Sequence, residues 1–292
     1  MTPTPPESPR ERWQAHLFVA PATLLLAGIA LVPVLMVFWL SAFRMILVVH
    51  EDRFVGLANY RFLLGDPRFW TALGNTAYFA VVSVAMELAL GLGFALLLDA
   101  RAPGQGLLRA SVLVPWAIPA AVSAKIWAWL WNPEYGLITR VLPTHEINWL
   151  GSPGYAMHAA ILVDVWKSTP FVALVLLAAL RNIPEEMVRA ASLDGASALR
   201  TLRSVTIPLL RPAIALVLVL RTLDAFRVFD SVYVLTAGGP ANTTETLSIY
   251  TYKTLMSSGD FGYGSTLAVA TFLCVMTISV LYLKLLGPEG RP

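Results

Sequence analysis

The chain has 292 residues, of which 57% are hydrophobic and 13% charged, and its formal net charge is +3. A soluble domain of ordinary composition carries about 25% charged residues, so a chain this apolar could not cover a water-facing surface with polar groups. The composition therefore excludes an ordinary soluble protein and predicts a surface that contacts the lipid bilayer.

Apolar stretches long enough to cross a bilayer recur along the chain. A spanning helix needs about 20 mostly apolar residues. The stretches that meet this length are 14–43, 70–99, 107–131, 155–180, 212–236 and 262–286. They lack the alternation of period two that strands show, so we predict an all-α membrane protein with six transmembrane helices.

The stretches divide the chain into a membrane domain and two short tails. We predict an N-terminal tail at 1–13, the membrane domain at 14–287 and a C-terminal tail at 288–292. The loops on the same side as the N-terminus carry more Lys and Arg than the opposite loops, which places both termini in the cytoplasm. The long cytoplasmic loop on this topology is 181–211.

The second predicted span contains an acid and two glycines. Glu87 has no basic residue close to it in sequence. An ionisable residue in lipid is costly and is a functional candidate by default, but the sequence offers Glu87 no obvious partner. Gly91 and Gly93 predict close packing against a neighbouring helix.

The loop at 181–211 begins with the signals of a short helix. Pro184 suits a first helical turn, and Glu185 and Glu186 complement the positive end of the helix dipole. We therefore predict a short amphipathic helix at the start of this loop.

A bend and a second short helix follow in the same loop. Asp194 and Gly195 interrupt the first helix, and Ser197 is suited to cap the second. Pro208 then stops the second helix before the fifth span. Small residues around the bend would allow the surface of another protein to approach closely.

The spacing in this loop resembles the cytoplasmic signature of binding-protein-dependent ABC importer permeases. The family pattern is Glu-Ala-Ala, three residues, Gly, nine residues, then Ile-x-Leu-Pro. The positions in register are Ala190, Ala191, Asp194, Gly195, Ala196 and Pro208. Three positions depart from it: Arg189 replaces the Glu, Val205 the Ile and Ile207 the Leu.

The resemblance extends over nearly the whole chain. Phe54–Tyr60, Phe69–Thr76 and Leu235–Pro240 are similar to segments of carbohydrate-type permeases, and Arg221–Arg227 looks most like trehalose-type members. It implies the type I ABC importer permease fold, in the larger-partner subunit of a maltose/trehalose-type importer. On the same basis Glu185 to Arg200 would form a coupling helix that enters a cleft on an ATPase subunit.

The partners expected from this resemblance are specific. They are a second permease subunit, an ATPase dimer, an extracytoplasmic sugar-binding protein and a di- or oligosaccharide, with no nucleic acid. The location would be the plasma membrane of a bacterium or archaeon.

The sequence has no Gly-Lys dipeptide, and therefore no phosphate-binding loop of the Walker type. We expect no catalytic residue, metal site or cofactor in this chain, with ATP and Mg on the partner ATPase.

Polar and aromatic residues in the fourth and fifth spans form the predicted sugar path. The resemblance implies that the fifth span lines the path, and an aromatic ring beside hydrogen-bonding groups suits a sugar. The candidate residues are Trp166, Lys167, Thr169, Arg221, Asp224, Ala225, Arg227 and Val228. Two other interpretations stay open: Arg221, Asp224, Arg227 and Asp230 could form a structural ladder at steps of three, and Trp166 could be an interfacial anchor.

Two other functional classes of membrane protein predict features that this sequence lacks. A self-sufficient secondary transporter often shows internal repeats, which the two halves of this chain lack. A membrane enzyme should gather acids, histidines or a nucleophile near one interface, and the sequence shows no such cluster.

Overall fold

The computed structural model describes residues 9–100, 104–141 and 147–286. The predicted C-terminal tail at 288–292 and residues 1–8 of the N-terminal tail lie outside this range. The described chain forms two compact units. The first comprises the residues up to Gly65 together with Thr251–Ala270, and the second comprises Asp66–Tyr250 together with the residues from Thr271 onward.

The first unit begins with a long apolar helix and a short hairpin. Helix α1 (Pro9–Ser41) contains the first span, whose most apolar stretch has no residue buried among the described parts of the chain. Strands β1 (Phe43–Ile46) and β2 (Glu51–Phe54) pair antiparallel, with Phe43 opposite Phe54. The apolar stretches of the sequence did not predict this hairpin.

The next two helices join the first unit to the second. Helix α2 (Ala58–Gly65) is tied to the end of α1 by Asn59, whose Nδ2 donates to the carbonyl oxygens of Ser41 (2.9 Å) and Phe43 (2.8 Å). Helix α3 (Pro67–Asp99) is the second span, and its first turn is capped by the Asp66 carboxylate, which accepts from the Arg68 N–H at 2.9 Å.

The third span is broken and not straight. Helices α4 (Gln105–Ala117) and α5 (Ala120–Leu130) meet at a bend of 99°. Pro119 causes the break, since proline lacks a backbone N–H and pushes the preceding residue, Ile118, out of the helical region. The prediction of one continuous helix over 107–131 was therefore wrong at this point.

Helix α6 (Leu137–Val141) lies in the connection that follows, and α7 (Pro153–Leu180) is the fourth span. The loop after α7 carries two short helices, α8 (Glu185–Leu193) and α9 (Ala198–Thr201), as the sequence predicted.

The second loop helix does not stop at Pro208. A wide π turn at Leu202–Thr206 continues α9 into α10 (Ile207–Phe226), where Pro208 occupies the first turn. A π turn already departs from the i to i−4 pattern, so the missing N–H of proline costs no regular helical hydrogen bond there. Pro208 therefore marks the start of the fifth span within a continuous helical run.

The fifth span ends earlier than predicted. Helix α10 ends at Phe226, and a separate helix α11 covers Asp230–Thr236. The carbonyl of Val228, in the break, accepts a hydrogen bond from Thr246 Oγ1 at 3.3 Å. The continuous helix predicted over 212–236 was therefore wrong, since this tertiary contact lies where the helix would have continued.

Two further helices complete the described chain. Helix α12 (Leu247–Tyr252) leads through a π turn to α13 (Phe261–Leu286), the last span. Within the described residues five helices are long and apolar enough to cross a bilayer, and the bent pair α4–α5 makes six if it is counted as one span. The predicted all-α membrane fold is confirmed.

Helices α3, α7 and α10 pack together in the second unit. Their core consists of buried aliphatic side chains: Ala95, Leu98, Val172, Leu176, Leu177, Leu180, Leu210 and Val217. A Cβ at Gly91 would collide with Val172, whereas a Cβ at Gly93 would meet nothing within 4 Å. Within the described part of the chain, the close packing predicted from these glycines is therefore confirmed for Gly91 and is not found at Gly93.

Candidate functional site

The bend between α8 and α9 is built around one glycine. The N–H of Gly195 donates to the carbonyl of Ser192 (3.1 Å), and the N–H of Ala196 donates to that of Ala191 (3.0 Å). Gly195 has a φ of +75°. This is a Schellman cap, in which a left-handed residue ends the helix, and glycine adopts that conformation without the penalty of a side chain.

The Ser197 hydroxyl accepts from the backbone N–H of Arg200 at 3.4 Å, so it caps α9 as predicted. Together the two caps fix the angle at which the chain leaves α8 and enters α9.

Apolar side chains on this loop face outward. Leu193 is 89% exposed, and Met187, Val188 and Leu199 are also exposed. None of the α8 residues is buried in the described chain. Exposed large apolar side chains clustered on one element are typical of an interaction surface, and we call residues 181–211 the α8 loop.

The residue that departs from the family pattern has a local partner. Arg189 donates from its guanidinium to Glu185, one helical turn earlier on α8. Both side chains are exposed, so the pair contributes little stability. It nevertheless places a positive and a negative charge side by side on the outer face of α8.

A second constellation lies among α3, α7 and α10. Arg221 donates from Nε and Nη2 to both oxygens of Glu87, at 2.6 and 2.9 Å. Its Nη2 also donates to Asp164 at 3.1 Å, and its Nη1 donates to Asp224 at 3.4 Å. One guanidinium therefore joins carboxylates from three helices, and we call these four residues the Arg221 network.

The exposed fraction of the side chains increases across the network, from Glu87 to Asp224. The exposed fraction of the side chain is 0% for Glu87, 9% for Arg221, 14% for Asp164 and 58% for Asp224. Buried charges must be paired and hydrogen-bonded to be tolerated. The pairing stabilises the buried members, while Asp224 carries a charge to the surface of this chain.

Lys167 does not join the network by a direct contact. Its Nζ donates to the carbonyl of Ile118 at 2.8 Å and to that of Trp116 at 3.4 Å. These carbonyls lie at the break between α4 and α5, where regular helical bonding stops. A cation at the end of a half-helix is favourable, so Lys167 stabilises the break in the third span.

Two other predicted path residues lie on a different face of α7. Trp166 and Thr169 line a mainly apolar cleft of about 440 Å³, together with Trp127 and Pro170. Trp166 packs edge-on against Trp127, with ring centroids 5.6 Å apart, and the Thr169 hydroxyl donates to the Val165 carbonyl at 2.6 Å. The structure therefore separates these two residues from the Arg221 network.

The remaining predicted path residues are split by the end of α10. Ala225 is buried, and Arg227 is exposed and donates to Asp224 at 3.4 Å. Val228 was predicted to line the path within the fifth span, but it lies beyond the end of α10 and shares no helical face with Arg221. Asp230 begins α11, and the ladder at steps of three therefore stops at Arg227.

A second ion pair, between a buried carboxylate and a partly exposed arginine, lies at the start of α3. Arg68 donates from Nε and Nη2 to the two oxygens of Glu245, at 2.7 and 2.8 Å, and its guanidinium carbon lies 4.3 Å from the Tyr250 ring centroid. The Tyr250 hydroxyl donates to Asp66 at 2.6 Å. This cluster fastens the segment before α12 to the N-terminal end of α3.

Sequence reasoning missed these pairings although it found most of the charges. It left Glu87 without a partner and did not include Asp164 or Glu245 among the candidate residues. One signal was available: Glu87 is an acid in an apolar span without a basic neighbour in its own helix, so its counter-charge had to come from another helix.

These features describe a membrane protein with a loop of two short helices that exposes apolar side chains, and with a charged network among three of its long helices. The family described as binding-protein-dependent transport system inner membrane component matches residues 87–289. The chain is therefore a multi-pass membrane subunit of a transporter, and it belongs to this family of ABC importer permeases. Family membership supports the ABC interpretation and not the secondary-transporter alternative.

Three relatives align with almost the whole chain. The trehalose/maltose transport system permease protein MalF of Thermococcus litoralis is 42% identical over 278 residues, covering 94% of each chain. The trehalose transport system permease protein SugA of Mycobacterium tuberculosis is 40% identical, covering 97% of this chain and 92% of the relative. The sulfoquinovosyl glycerol transport system permease protein SmoG of Agrobacterium fabrum is 38% identical over 94% of this chain and 91% of its own.

A solved structure shares the fold. A chain of a bacterial ABC transporter involved in the import of the acidic polysaccharide alginate superposes with a TM-score of 0.83 at 18% identity, covering 97% of this chain and 98% of that one. The likeness confirms the ABC importer permease fold predicted from the sequence.

Proposed function

We propose that this chain is the membrane permease subunit of an ATP-driven importer of a di- or oligosaccharide of the trehalose or maltose type. The observation that carries the importer assignment is the α8 loop, whose Schellman cap at Gly195 presents exposed apolar side chains in the register of the family signature. The sugar class rests on the names of the relatives at 40–42% identity.

The α8 loop would dock on an ATPase subunit. The loop residues that we propose for this contact are Glu185, Glu186, Arg189, Ala190, Ala191, Asp194, Gly195 and Ala196. Pro208 lies at the start of the following span. The small residues permit close approach, and the neighbouring exposed leucine and methionine supply apolar area for a stable contact. This placement requires the loop and both termini to be cytoplasmic, in a bacterial or archaeal plasma membrane.

The sugar path would run beside the exposed end of the Arg221 network. Asp224 presents a carboxylate, a strong acceptor for sugar hydroxyls, and Arg227 adds donors beside it. Trp166 and Thr169 border a neighbouring cleft with an aromatic wall. Lys167 supports this region by holding the broken third span, and Ala225 and Val228 contribute to its packing.

The proposed mechanism is alternating access. An extracytoplasmic binding protein delivers the sugar, ATP closes the ATPase dimer, and the docked α8 loop transmits that movement to the spans. This chain supplies half of the passage and a second permease subunit supplies the rest. ATP and Mg would be bound by the ATPase, so this chain contributes no catalytic group.

The proposal is tested by expressing the tagged chain together with the genes that adjoin its own and purifying it in detergent. We expect an ATPase, a second permease and a binding protein to assemble with it. In proteoliposomes, hydrolysis should rise when the binding protein carries trehalose or maltose. Stimulation by sulfoquinovosyl glycerol alone would assign this chain a substrate like the one named for the third relative. Sugar transport by the chain without ATP would contradict the proposal.

A further inference from the structure

Glu87 is the sealed end of the Arg221 network, and no substrate in a passage could reach it. Its side chain has no exposed surface, and both of its oxygens accept hydrogen bonds from Arg221. Any effect of Glu87 on a transported molecule must therefore pass through a neighbouring side chain, and Arg221 is the one that donates to both Glu87 oxygens.

The rigid guanidinium of Arg221 can transmit an effect of Glu87 to Asp224. The guanidinium is planar and its donors are fixed relative to one another. Because Nε and Nη2 are held by Glu87, and Nη2 also reaches Asp164, the remaining terminal nitrogen Nη1 is directed toward Asp224. The position of Glu87 thus determines which way the free edge of the guanidinium points.

Asp224 is the member of the network that a solute could touch. Its side chain is more than half exposed, and its two oxygens accept from Arg221 and Arg227, each at 3.4 Å. These contacts are longer than those at Glu87, so the Asp224 carboxylate retains acceptor capacity for another donor.

We infer that Glu87, assisted by Asp164, is a positioning residue of the sugar path, which orients Arg221 so that the Asp224 carboxylate is held in place for the transported sugar. The inference rests on the proposed function, because it assigns Asp224 to the passage. It predicts that Glu87 and Asp224 are energetically coupled although they do not touch.

A double-mutant cycle on transport efficiency tests the coupling. The complex is reconstituted in proteoliposomes with saturating sugar-loaded binding protein, and the sugar moved per ATP hydrolysed is measured for Glu87→Gln, Asp224→Asn and the double variant. Each single change should lower this ratio about tenfold, the size expected when one charge-assisted hydrogen bond is lost. The double variant should also lie about tenfold below wild type and not about a hundredfold, since both changes remove the same contact.

A matched control separates positioning from general structural damage. Glu245→Gln removes an equally buried carboxylate that is also bound by Nε and Nη2 of one arginine, Arg68, but lies outside the network. It should lower the thermal midpoint of the complex while leaving the sugar moved per ATP within about twofold of wild type. If Glu87→Gln does not assemble, Asp164→Asn replaces it in the same cycle.

Two results would overturn the inference. Single effects that multiply in the double variant would show that Glu87 and Asp224 act independently. A parallel fall in ATP hydrolysis and transport, with the ratio unchanged, would show that the network serves only the fold. A wild-type complex that moves no sugar would instead refute the proposed function before any variant is compared.

Discussion

The Arg221 network and the α8 loop depart from the usual distribution of polar and apolar groups in opposite directions. The network buries charges among α3, α7 and α10, whereas the loop exposes leucine and methionine. The buried charges find their partners within this chain, at distances of 2.6–3.4 Å. The exposed apolar side chains of α8 are left uncovered within the described chain.

This difference separates the polar groups that are satisfied within the chain from the apolar side chains that need a partner to cover them. A satisfied buried network is part of the folded chain and needs no second protein to be stable. An exposed apolar element needs a cover, because large apolar patches on a water-facing surface are costly unless they are used for binding. The buried network therefore belongs to the folded chain itself, and the exposed apolar side chains of the α8 loop are the part that the proposed function assigns to a partner.

The largest effect is expected from removing the arginine at the centre of the network. Arg221→Met leaves Glu87 and Asp164 buried without their cation, which should cost about 3–5 kcal/mol of stability. Arg227→Met is the matched control: that arginine is 62% exposed, so its pair with Asp224 is worth at most about 1 kcal/mol. Thermal unfolding of the detergent-purified complex measures both, and equal midpoints for the two variants would contradict the network.

A smaller effect is expected where α3 meets α7. Gly91→Ala would place a methyl group against Val172 and should cost about 1–3 kcal/mol, the usual penalty for overpacking. Gly93→Ala meets open space on the same helix and should be neutral or slightly stabilising, because alanine favours a helix. Heat-resistance of the purified complex, followed by size-exclusion chromatography, distinguishes them. A larger loss for Gly93→Ala would show that the two helices pack on another face.

The bend of the α8 loop should be sensitive to the backbone conformation that residue 195 can adopt and not to the volume of its side chain. Gly195 has open space around it, but its left-handed backbone would cost Gly195→Glu about 1–2 kcal/mol. We expect sugar uptake to fall about tenfold, with uptake lost relative to basal ATP hydrolysis. Gly195→Asn should retain most uptake, because asparagine tolerates this conformation. Unimpaired uptake in the Gly195→Glu variant would count against the loop as the coupling element.

The smallest effect is expected at the cap of α9. Ser197→Ala removes the acceptor for the Arg200 N–H and should destabilise this turn by about 1 kcal/mol. Faster amide exchange in α9 would report the loss. Ser192→Ala is the control, since that hydroxyl donates to the Val188 carbonyl within α8 and caps no helix. Faster exchange after the control change, and none after Ser197→Ala, would show that the bend is not held by this cap.

Local signals in the sequence predicted the loop well. The Glu185–Glu186 pair, the Asp194–Gly195 break and the Ser197 cap are short-range features, and the structure places all of them as predicted. The run of apolar stretches likewise gave the spans, because lipid imposes length and composition directly.

The failures share a physical cause, which is dependence on distant parts of the chain. Glu87 and Arg221 are separated by 134 positions, so no local pattern could pair them. The end of α10 coincides with a bond from Thr246, and Pro208 is accommodated by a π turn that sequence periodicity does not reveal. Whether the predicted path residues contact sugar remains a prediction, since Trp166 and Thr169 lie on a different face from the network.

The central claim is that the α8 loop contacts an ATPase subunit, and cysteine cross-linking measures this directly. Cys274 is the single cysteine of the chain. In a Cys274→Ser background, Leu193→Cys places a thiol on the loop, and Tyr135→Cys places a control thiol on an exposed residue of the α5–α6 connection. With a short thiol-to-amine cross-linker in the assembled complex, Leu193→Cys should yield a product with the ATPase and Tyr135→Cys should not. A product from Tyr135→Cys, with none from Leu193→Cys, would contradict the assignment of the loop.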